Sequence, residues 1–180
     1  MKINAIMSPQ VTSCGPDTNL GSVVEAMSRH DCGFVPVVDE LGEAIGVVTD
    51  RDICLSLGRR DLPPSALVAR NVMTQPVIAC SPEDDSVVAL LTMVQHHVRR
   101  LPVLGPAGVL LGVLSIDDIV RCAARAPSTD PLRVAVLDVM GGIVDRTRPT
   151  GSEYIPAAAR TGDDHPRPAF VRASRSGADT

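Results

Sequence analysis

The chain has 180 residues, of which 44% are hydrophobic and only 2% aromatic, and its formal net charge is −4. This length allows one ordinary domain or two small ones, with a core built from aliphatic side chains. The acidic balance and the scarcity of stacking rings argue against a nucleic-acid binder, which needs a basic surface and aromatic platforms.

No apolar run has the length of a signal peptide or of a membrane span, so we expect a cytoplasmic protein without membrane contact. Five cysteines form neither a CxxC pair nor a Cys/His cluster at zinc spacing. An odd number in such a chain predicts free thiols, most of them buried. Cys14 and Cys80 hold equivalent positions in a repeat described below, where core packing and a redox role are both open.

The chain begins with a short extended segment and an amphipathic helix. Residues Val11–Ser13 have strand character, and Pro16 with Asp17 favours a helix start shortly afterwards. Apolar side chains then recur at positions i, i+3, i+4 and i+7, which indicates a helix with one apolar face. The members of this stripe are Leu20, Val23, Val24 and Met27.

A hairpin and a second helix follow. The apolar runs Phe34–Val38 and Ala44–Val48 predict two strands, and the turn between them contains Gly42, which suits a left-handed conformation. A helix is expected from about Asp50 to Leu57. Together these elements make a β-α-β-β-α unit.

The same unit occurs twice in one register. At an offset of 66 residues, GVVTDRDI at Gly46–Ile53 lies over GVLSIDDI at Gly112–Ile119, and FVPVV at Phe34–Val38 lies over RLPVL at Arg100–Leu104. Such agreement without a gap indicates a duplication. The first helix of the second copy is more apolar, and we expect its stripe to be more deeply buried: Val87, Val88, Leu90, Leu91 and Val94.

These observations predict an α/β (α+β) fold made of two repeats. The first spans residues 5–62, the second spans residues 71–126, and a linker with two prolines spans residues 58–66. One unit alone leaves a face of its sheet bare. We therefore expect the two repeats to pack through their sheets with pseudo-two-fold symmetry.

The C-terminal tail, residues 127–180, has no counterpart in either repeat. Its segment 132–144 is apolar enough to form a helix or strand that docks on another surface, although Gly141 and Gly142 should break it. Pro, Gly, Ser, Arg and Asp dominate residues 145–180, so little surface could be buried there and we expect disorder.

The stretch Thr49-x-x-Asp52 allows two interpretations. A Thr followed three residues later by an acid has the spacing of a capping box, which needs no ligand and contributes about 1 kcal/mol. The same spacing recurs at Ser115 and Asp118. A helix start also offers free N–H groups and a positive dipole end to a phosphate, so a cap and a ligand site are compatible.

Three sequence elements, each present twice and in the same order, resemble a tandem pair of CBS domains, a Bateman module. They are the Gly-hydrophobic-x-Thr/Ser-x-x-Asp motif at 46–52 and 112–118, the hydrophobic-Pro-Val strand at 35–37 and 101–103, and the Met-Ser/Thr lead-in at 7–8 and 73–74. The resemblance covers about residues 5–125 and is closest to short stand-alone bacterial proteins of this family.

The resemblance implies clefts between the repeats that bind an adenine nucleotide or a related adenosyl ligand. By position, Thr49 and Ser115 would hydrogen-bond phosphate, while Asp52 and Asp118 would accept the ribose hydroxyls. Backbone near Val11 and Val77, with Val35 and Leu101, would line the adenine slot. Gly46 and Gly112 would let the backbone approach closely.

The two copies differ where phosphate would lie. Arg51 of the first repeat is replaced by Asp117, whereas Arg99 and Arg100 of the second repeat replace Gly33 and Phe34. The resemblance implies that the three arginines surround one anionic region, although solvated surface positions are an equal alternative. Successive strand side chains point to opposite faces, so Arg99 and Arg100 should not both face one cleft. We expect one functional site more readily than two.

The resulting hypothesis is a non-enzymatic regulatory module that senses AMP, ADP or ATP, and less readily NAD(H) or S-adenosylmethionine, and that requires no cofactor. It would form a homodimer and signal to an unidentified target protein. The alternative is a structural or dimerisation module with degenerate ligand sites. An enzyme is disfavoured because the sequence offers no nucleophile–base pair and no metal-ligand spacing.

Overall fold

A computed structural model describes the backbone of residues 1–145 and the side chains of residues 1–139. The predicted architecture of two like repeats is confirmed. In chain order the elements are α1 Leu20–Arg29, β1 Phe34–Val38, β2 Ala44–Thr49, α2 Asp50–Arg60, α3 Ser86–His96, β3 Arg100–Leu104, β4 Leu110–Ser115, α4 Ile116–Arg125 and α5 Pro131–Asp145. Disorder was expected for residues 145–180. Of these, Asp145 is the last residue of α5, and residues 146–180 lie outside the described residues.

The two hairpins have the same register. β1 and β2 are antiparallel with Phe34 opposite Thr49, and β3 and β4 are antiparallel with Arg100 opposite Ser115. The turn glycine Gly42 has φ +79°, as the sequence predicted, because only glycine adopts this conformation without steric cost. Thr49 and Ser115 therefore end their strands at equivalent places and begin α2 and α4.

The segments before each repeat cross to the other repeat, a feature that the sequence pattern does not predict. Ser8 forms an antiparallel bridge with Val113 in β4, and Thr74 forms the equivalent bridge with Val47 in β2. Each bridge consists of two backbone hydrogen bonds of 2.8–3.2 Å. The crossing segments thus satisfy N–H and C=O groups that the hairpin edges would otherwise leave unpaired.

Two hydrophobic cores result, and each contains residues from the opposite lead-in. Ile3 is fully buried in the core of the second repeat, although it precedes the first repeat in the chain. Leu67 and Ala69 are buried in the core of the first repeat, which they follow. This exchange binds the repeats into one module.

The buried helix faces differ from the predicted stripes. α1 begins after Asn19, whose side chain accepts from the backbone N–H of Ser22, and Val24 of the predicted stripe is 42% exposed. In α3 the predicted Val88 and Leu91 are about half exposed. The residues buried in α3 are Ser86, Ala89, Leu90 and Met93. Their spacing is also helical. Because nearly every residue of α3 is apolar, the sequence pattern does not show which face of the helix is buried.

The apolar tail segment is a helix that docks on the second repeat. α5 runs from Pro131 to Asp145, so the expectation that Gly141 and Gly142 break it is wrong. A glycine in a helix interior costs about 1 kcal/mol but does not end the helix. Leu132 and Val136 are buried against α3 and α4, and this packing stabilises the helix.

No helix in the described part of the chain combines the length and apolarity that crossing a membrane requires.

Candidate functional site

The start of α2 has a complete capping box. The backbone N–H and the hydroxyl of Thr49 both donate to Oδ2 of Asp52, at 2.9 and 2.6 Å, and the N–H of Asp52 donates to Thr49 Oγ1 at 3.2 Å. Ser115 and Asp118 repeat this arrangement with the same three distances at the start of α4. The cap interpretation of both Ser/Thr-x-x-Asp motifs is therefore correct.

The two boxes differ at the second carboxylate oxygen. Oδ1 of Asp118 accepts a 2.5 Å bond from Nη2 of Arg121, one turn further along α4. The residue equivalent to Arg121 in the first repeat is Leu55. Among the described residues, no donor lies on Oδ1 of Asp52, which leaves that oxygen available to a hydroxyl or N–H group of a ligand.

The lead-in segments pass close to these helix starts. Thr74 pairs with Val47, two residues before Thr49, and Ser8 pairs with Val113, two residues before Ser115. Each candidate site thus lies near the helix start of one repeat and the lead-in of the other. A site of this kind exists only when both repeats are folded against each other.

The three arginines lie at or beside the helix starts. Arg100 begins β3 opposite Ser115, and the carbonyl oxygen of Arg99 accepts the N–H of Ile116 at 2.9 Å. Arg51 is exposed in the first turn of α2. Within residues 1–139, none of the three forms an ion pair, so their guanidinium groups are free for an anion.

The first repeat has a carboxylate near the place of Arg99. The N–H of Asp50 donates to the carbonyl of Gly33, and a Cβ atom added to Gly33 would lie 2.6 Å from Oδ2 of Asp50. Glycine at this position makes room for the Asp50 side chain. The residue equivalent to Asp50 is Ile116, which is buried. A carboxylate therefore lies beside β1 at the start of α2, whereas an apolar side chain lies at the equivalent place at the start of α4.

The residues predicted to line an adenine slot differ in how far they are buried. Val35 and Leu101 are completely buried in the two cores, so their side chains present no surface to a ligand in this structure. Val77 is half-buried. Val11 is half-buried and lines a cavity of about 220 Å³ together with Pro9, Ser13, Val38, Gly42, Val109, Leu110 and Leu111. None of the four capping-box residues lines that cavity.

The equivalent cysteines are packing residues. Burial raises the pKa of the Cys80 thiol to about 12, with a further contribution from the Asp84 carboxylate, and burial raises the pKa of Cys14 to about 11. Both thiols stay protonated at neutral pH, and a protonated thiol is a poor nucleophile. Within the described residues, no group of three or more His, Cys, Asp or Glu side chains could hold a metal ion.

A duplicated α-β-β-α unit, with a capping box at the start of each second helix, defines this molecule as a tandem-repeat module. The CBS domain family matches it twice, at residues 3–59 and 69–125. These matches cover more than half of the chain, which therefore belongs to the CBS domain family.

Several proteins are similar to the chain in sequence. The CBS domain-containing protein YhcV of Bacillus subtilis is 30% identical over 63% of this chain and 79% of its own length. An uncharacterized protein of Methanopyrus kandleri is 28% identical, and the match spans 67% of this chain and 62% of that protein. An inosine-5'-monophosphate dehydrogenase of Methanocaldococcus jannaschii is 24% identical, but only 23% of that enzyme is matched.

Solved structures share the fold. The CBS domain pair of protein MJ0100, in complex with 5-methylthioadenosine and S-adenosyl-L-methionine, has a TM-score of 0.63 at 19% identity and covers 69% of this chain and 96% of its own. CBSX2 in complex with AMP has a TM-score of 0.61 at 24% identity, with the same two coverages. Each of these two solved structures contains an adenosyl ligand.

Proposed function

We propose that this protein is a regulatory module that binds an adenosyl ligand, AMP or a related nucleotide, at the helix starts formed by Thr49–Asp52 and Ser115–Asp118. Occupancy would be transmitted through the packing of the two repeats to a partner protein. A homodimer is the expected assembly. The ligands of MJ0100 and CBSX2 indicate the chemical class to test first.

The observation that carries the proposal is the free oxygen of the first capping box. Asp52 is half-buried and uses only Oδ2 in the cap, while among the described residues Oδ1 has no donor. A carboxylate oxygen offers two lone pairs, which suits the two hydroxyls of a ribose. Hydrogen bonds to such a charged acceptor contribute about 1.5–3 kcal/mol.

Nearby positive charge supports a phosphate. Arg51 follows Thr49 by two residues, and Arg99 and Arg100 lie beside Ser115. A guanidinium can hold a phosphate through two parallel hydrogen bonds, and the helix start adds its own positive end. A nucleotide should therefore bind more tightly than its free nucleoside.

The proposal assigns no catalysis to the chain. Its similarity to inosine-5'-monophosphate dehydrogenase spans less than a quarter of that enzyme, so the enzyme's activity is not carried over. A ligand-binding role needs only the capping boxes and the nearby arginines.

Calorimetric titration with AMP, ADP, ATP, NADH and S-adenosylmethionine tests the proposal. Asp52→Ala and Asp118→Ala should each weaken binding at their own site tenfold or more, because a charge-assisted hydrogen bond is lost. Asp138→Ala, an exposed position on α5, is the matched control and should bind like the wild type.

Two results would contradict the proposal. The first is a failure of every ligand to bind below about millimolar. The second is wild-type affinity in both Asp variants together with a lower melting temperature, which would make the motifs caps alone.

One observation favours the alternative of an interaction module with a degenerate second site. Asp117 places a negative charge where the first repeat has Arg51, and Arg121 already occupies Oδ1 of Asp118. If titration finds no ligand, a role in assembly becomes the better explanation, and sedimentation analysis of the wild type would measure it.

A further inference from the structure

The second carboxylate oxygen is the clearest chemical difference between the two capping boxes. In both, Oδ2 accepts the N–H and the hydroxyl of the Thr or Ser. In the second box, Oδ1 also accepts Nη2 of Arg121 at 2.5 Å. Leu55 holds the equivalent place in the first repeat and cannot donate.

The number of free lone pairs decides what each carboxylate can accept from a ligand. An ionised carboxylate has about four acceptor positions, two on each oxygen. The cap uses both positions on Oδ2, so Asp52 keeps two positions on Oδ1 for a ligand. Asp118 keeps one, because Arg121 takes the other. A cis-diol such as that of ribose donates two hydrogen bonds, which Asp52 can accept and Asp118 cannot accept until Arg121 leaves.

We propose that Arg121 blocks the diol-accepting oxygen of Asp118 and weakens ribose binding there, so that the residue at position 55 or 121 sets how well the carboxylate of its own repeat accepts a diol. This inference rests on the proposed function, since it concerns the same ligand class. It names a specificity-determining residue that lies outside the Ser/Thr-x-x-Asp motif.

The size of the effect follows from exposure. The Asp118 side chain is 12% exposed, but that of Arg121 is 64% exposed, so the ion pair is screened by water on one side. Displacing an exposed arginine from such a pair should cost the ligand about two- to five-fold in affinity. The second site is therefore weakened rather than abolished.

Single-site proteins provide the test. In an Asp52→Ala background only the Asp118 site remains, and AMP affinity is compared there between the protein that keeps Arg121 and the protein that also carries R121L. The expected result is about two- to five-fold tighter AMP binding in R121L. The ratio of 2'-deoxy-AMP to AMP dissociation constants should also rise, because both hydroxyls can then be accepted.

The reciprocal change is made in an Asp118→Ala background, where Leu55→Arg should weaken AMP binding at the Asp52 site by a similar factor. Arg125→Leu in the Asp52→Ala background is the matched control for R121L. It removes an exposed arginine from the last turn of the same helix. It should leave both the affinity and the 2'-deoxy ratio unchanged.

The outcomes separate the two proposals. Weaker AMP binding in R121L would overturn this inference, because Arg121 would then contact the ligand favourably. Equal affinities with and without the R121L substitution would also overturn it while leaving the proposed function intact. If AMP binds the Asp52→Ala protein only when it also carries R121L, the inference is supported, and Arg121 closes the second site of the wild type. If AMP binds neither the single-site proteins nor their variants at positions 55 and 121, this inference fails, and the proposed function fails with it when none of the five ligands binds the wild type.

Discussion

Gly46 and Gly112 occupy the same strand position in both repeats, where the opposite lead-in passes close by. A Cβ atom on Gly112 would lie 2.8 Å from the backbone oxygen of Ser8, and one on Gly46 would lie 2.6 Å from Sδ of Met73. The family resemblance implies that these glycines let the backbone approach a ligand closely. The structure explains them by the approach of the crossing chain.

Substituting these glycines should give graded effects. Gly112→Ala is expected to destabilise by about 1–3 kcal/mol, because the Ser8 oxygen is held by the N–H of Val113 and cannot retreat freely. Gly46→Ala should cost less, since the closest Met73 atom belongs to a flexible side chain. Chemical denaturation of each variant measures these differences.

Gly58 is a control position, where substitution by Ala is expected to change the stability in the opposite direction. It lies within α2 and has no neighbour within 4 Å of an added Cβ atom. Gly58→Ala should therefore stabilise the protein by about 0.4–1 kcal/mol. Equal destabilisation by all three substitutions would contradict the steric explanation.

At the scale of the element, α5 distinguishes the two repeats. It covers α3 and α4, whereas the first repeat has no such helix over α1 and α2 among the described residues. The equivalent side chains differ accordingly: Leu90 in α3 is fully buried, and Val24 in α1 is 42% exposed. The pseudo-symmetry of the repeats therefore does not extend to their outer helical surfaces.

Leu132 and Leu137 test the docking of α5. Leu132 is 2% exposed and Leu137 is 72% exposed on the same helix. Leu132→Ala should cost about 2–5 kcal/mol, because it removes buried methyl groups and leaves a cavity. Leu137→Ala should change stability by less than about 0.5 kcal/mol. Similar unfolding midpoints for the two variants would mean that α5 does not pack on the second repeat.

At the scale of the whole molecule, the exchanged lead-ins make the two repeats interdependent. The residue that completes the second core, Ile3, comes from the start of the chain, and Leu67 completes the first core from the linker side. A ligand bound near a lead-in and a helix start would therefore touch both halves. This arrangement offers a physical route by which occupancy could change the packing between repeats.

Ile3→Ala should destabilise the module by about 2–5 kcal/mol even though it lies outside the α-helices and strands of both repeats. Methyl NMR locates the effect: resonances of Leu90 and Ile119 should shift, and those of Val35 and Ile53 should not. Leu67→Ala is the mirror variant and should give the reverse pattern. Shifts of the first-core methyls in Ile3→Ala would contradict the exchange of lead-ins.

Local patterns were sufficient to predict much of this structure from the sequence. The offset of 66 residues revealed the repeats, the spacing of Thr49 and Asp52 predicted a capping box, and Gly42 predicted a left-handed turn. Each depends on residues a few positions apart, or on a comparison of the chain with itself. Side-chain chemistry at short range is enough to determine such features.

Only the tertiary structure decided the features that join distant segments. The bridge between Ser8 and Val113, the phase of α3 and the docking of α5 depend on which surfaces meet in the folded chain. An apolar helix has several possible buried faces, and a strand edge accepts any backbone. The sequence therefore determined the repeat, its caps and the local difference between Leu55 and Arg121 that makes the two carboxylates unlike, whereas packing determined how the repeats are joined.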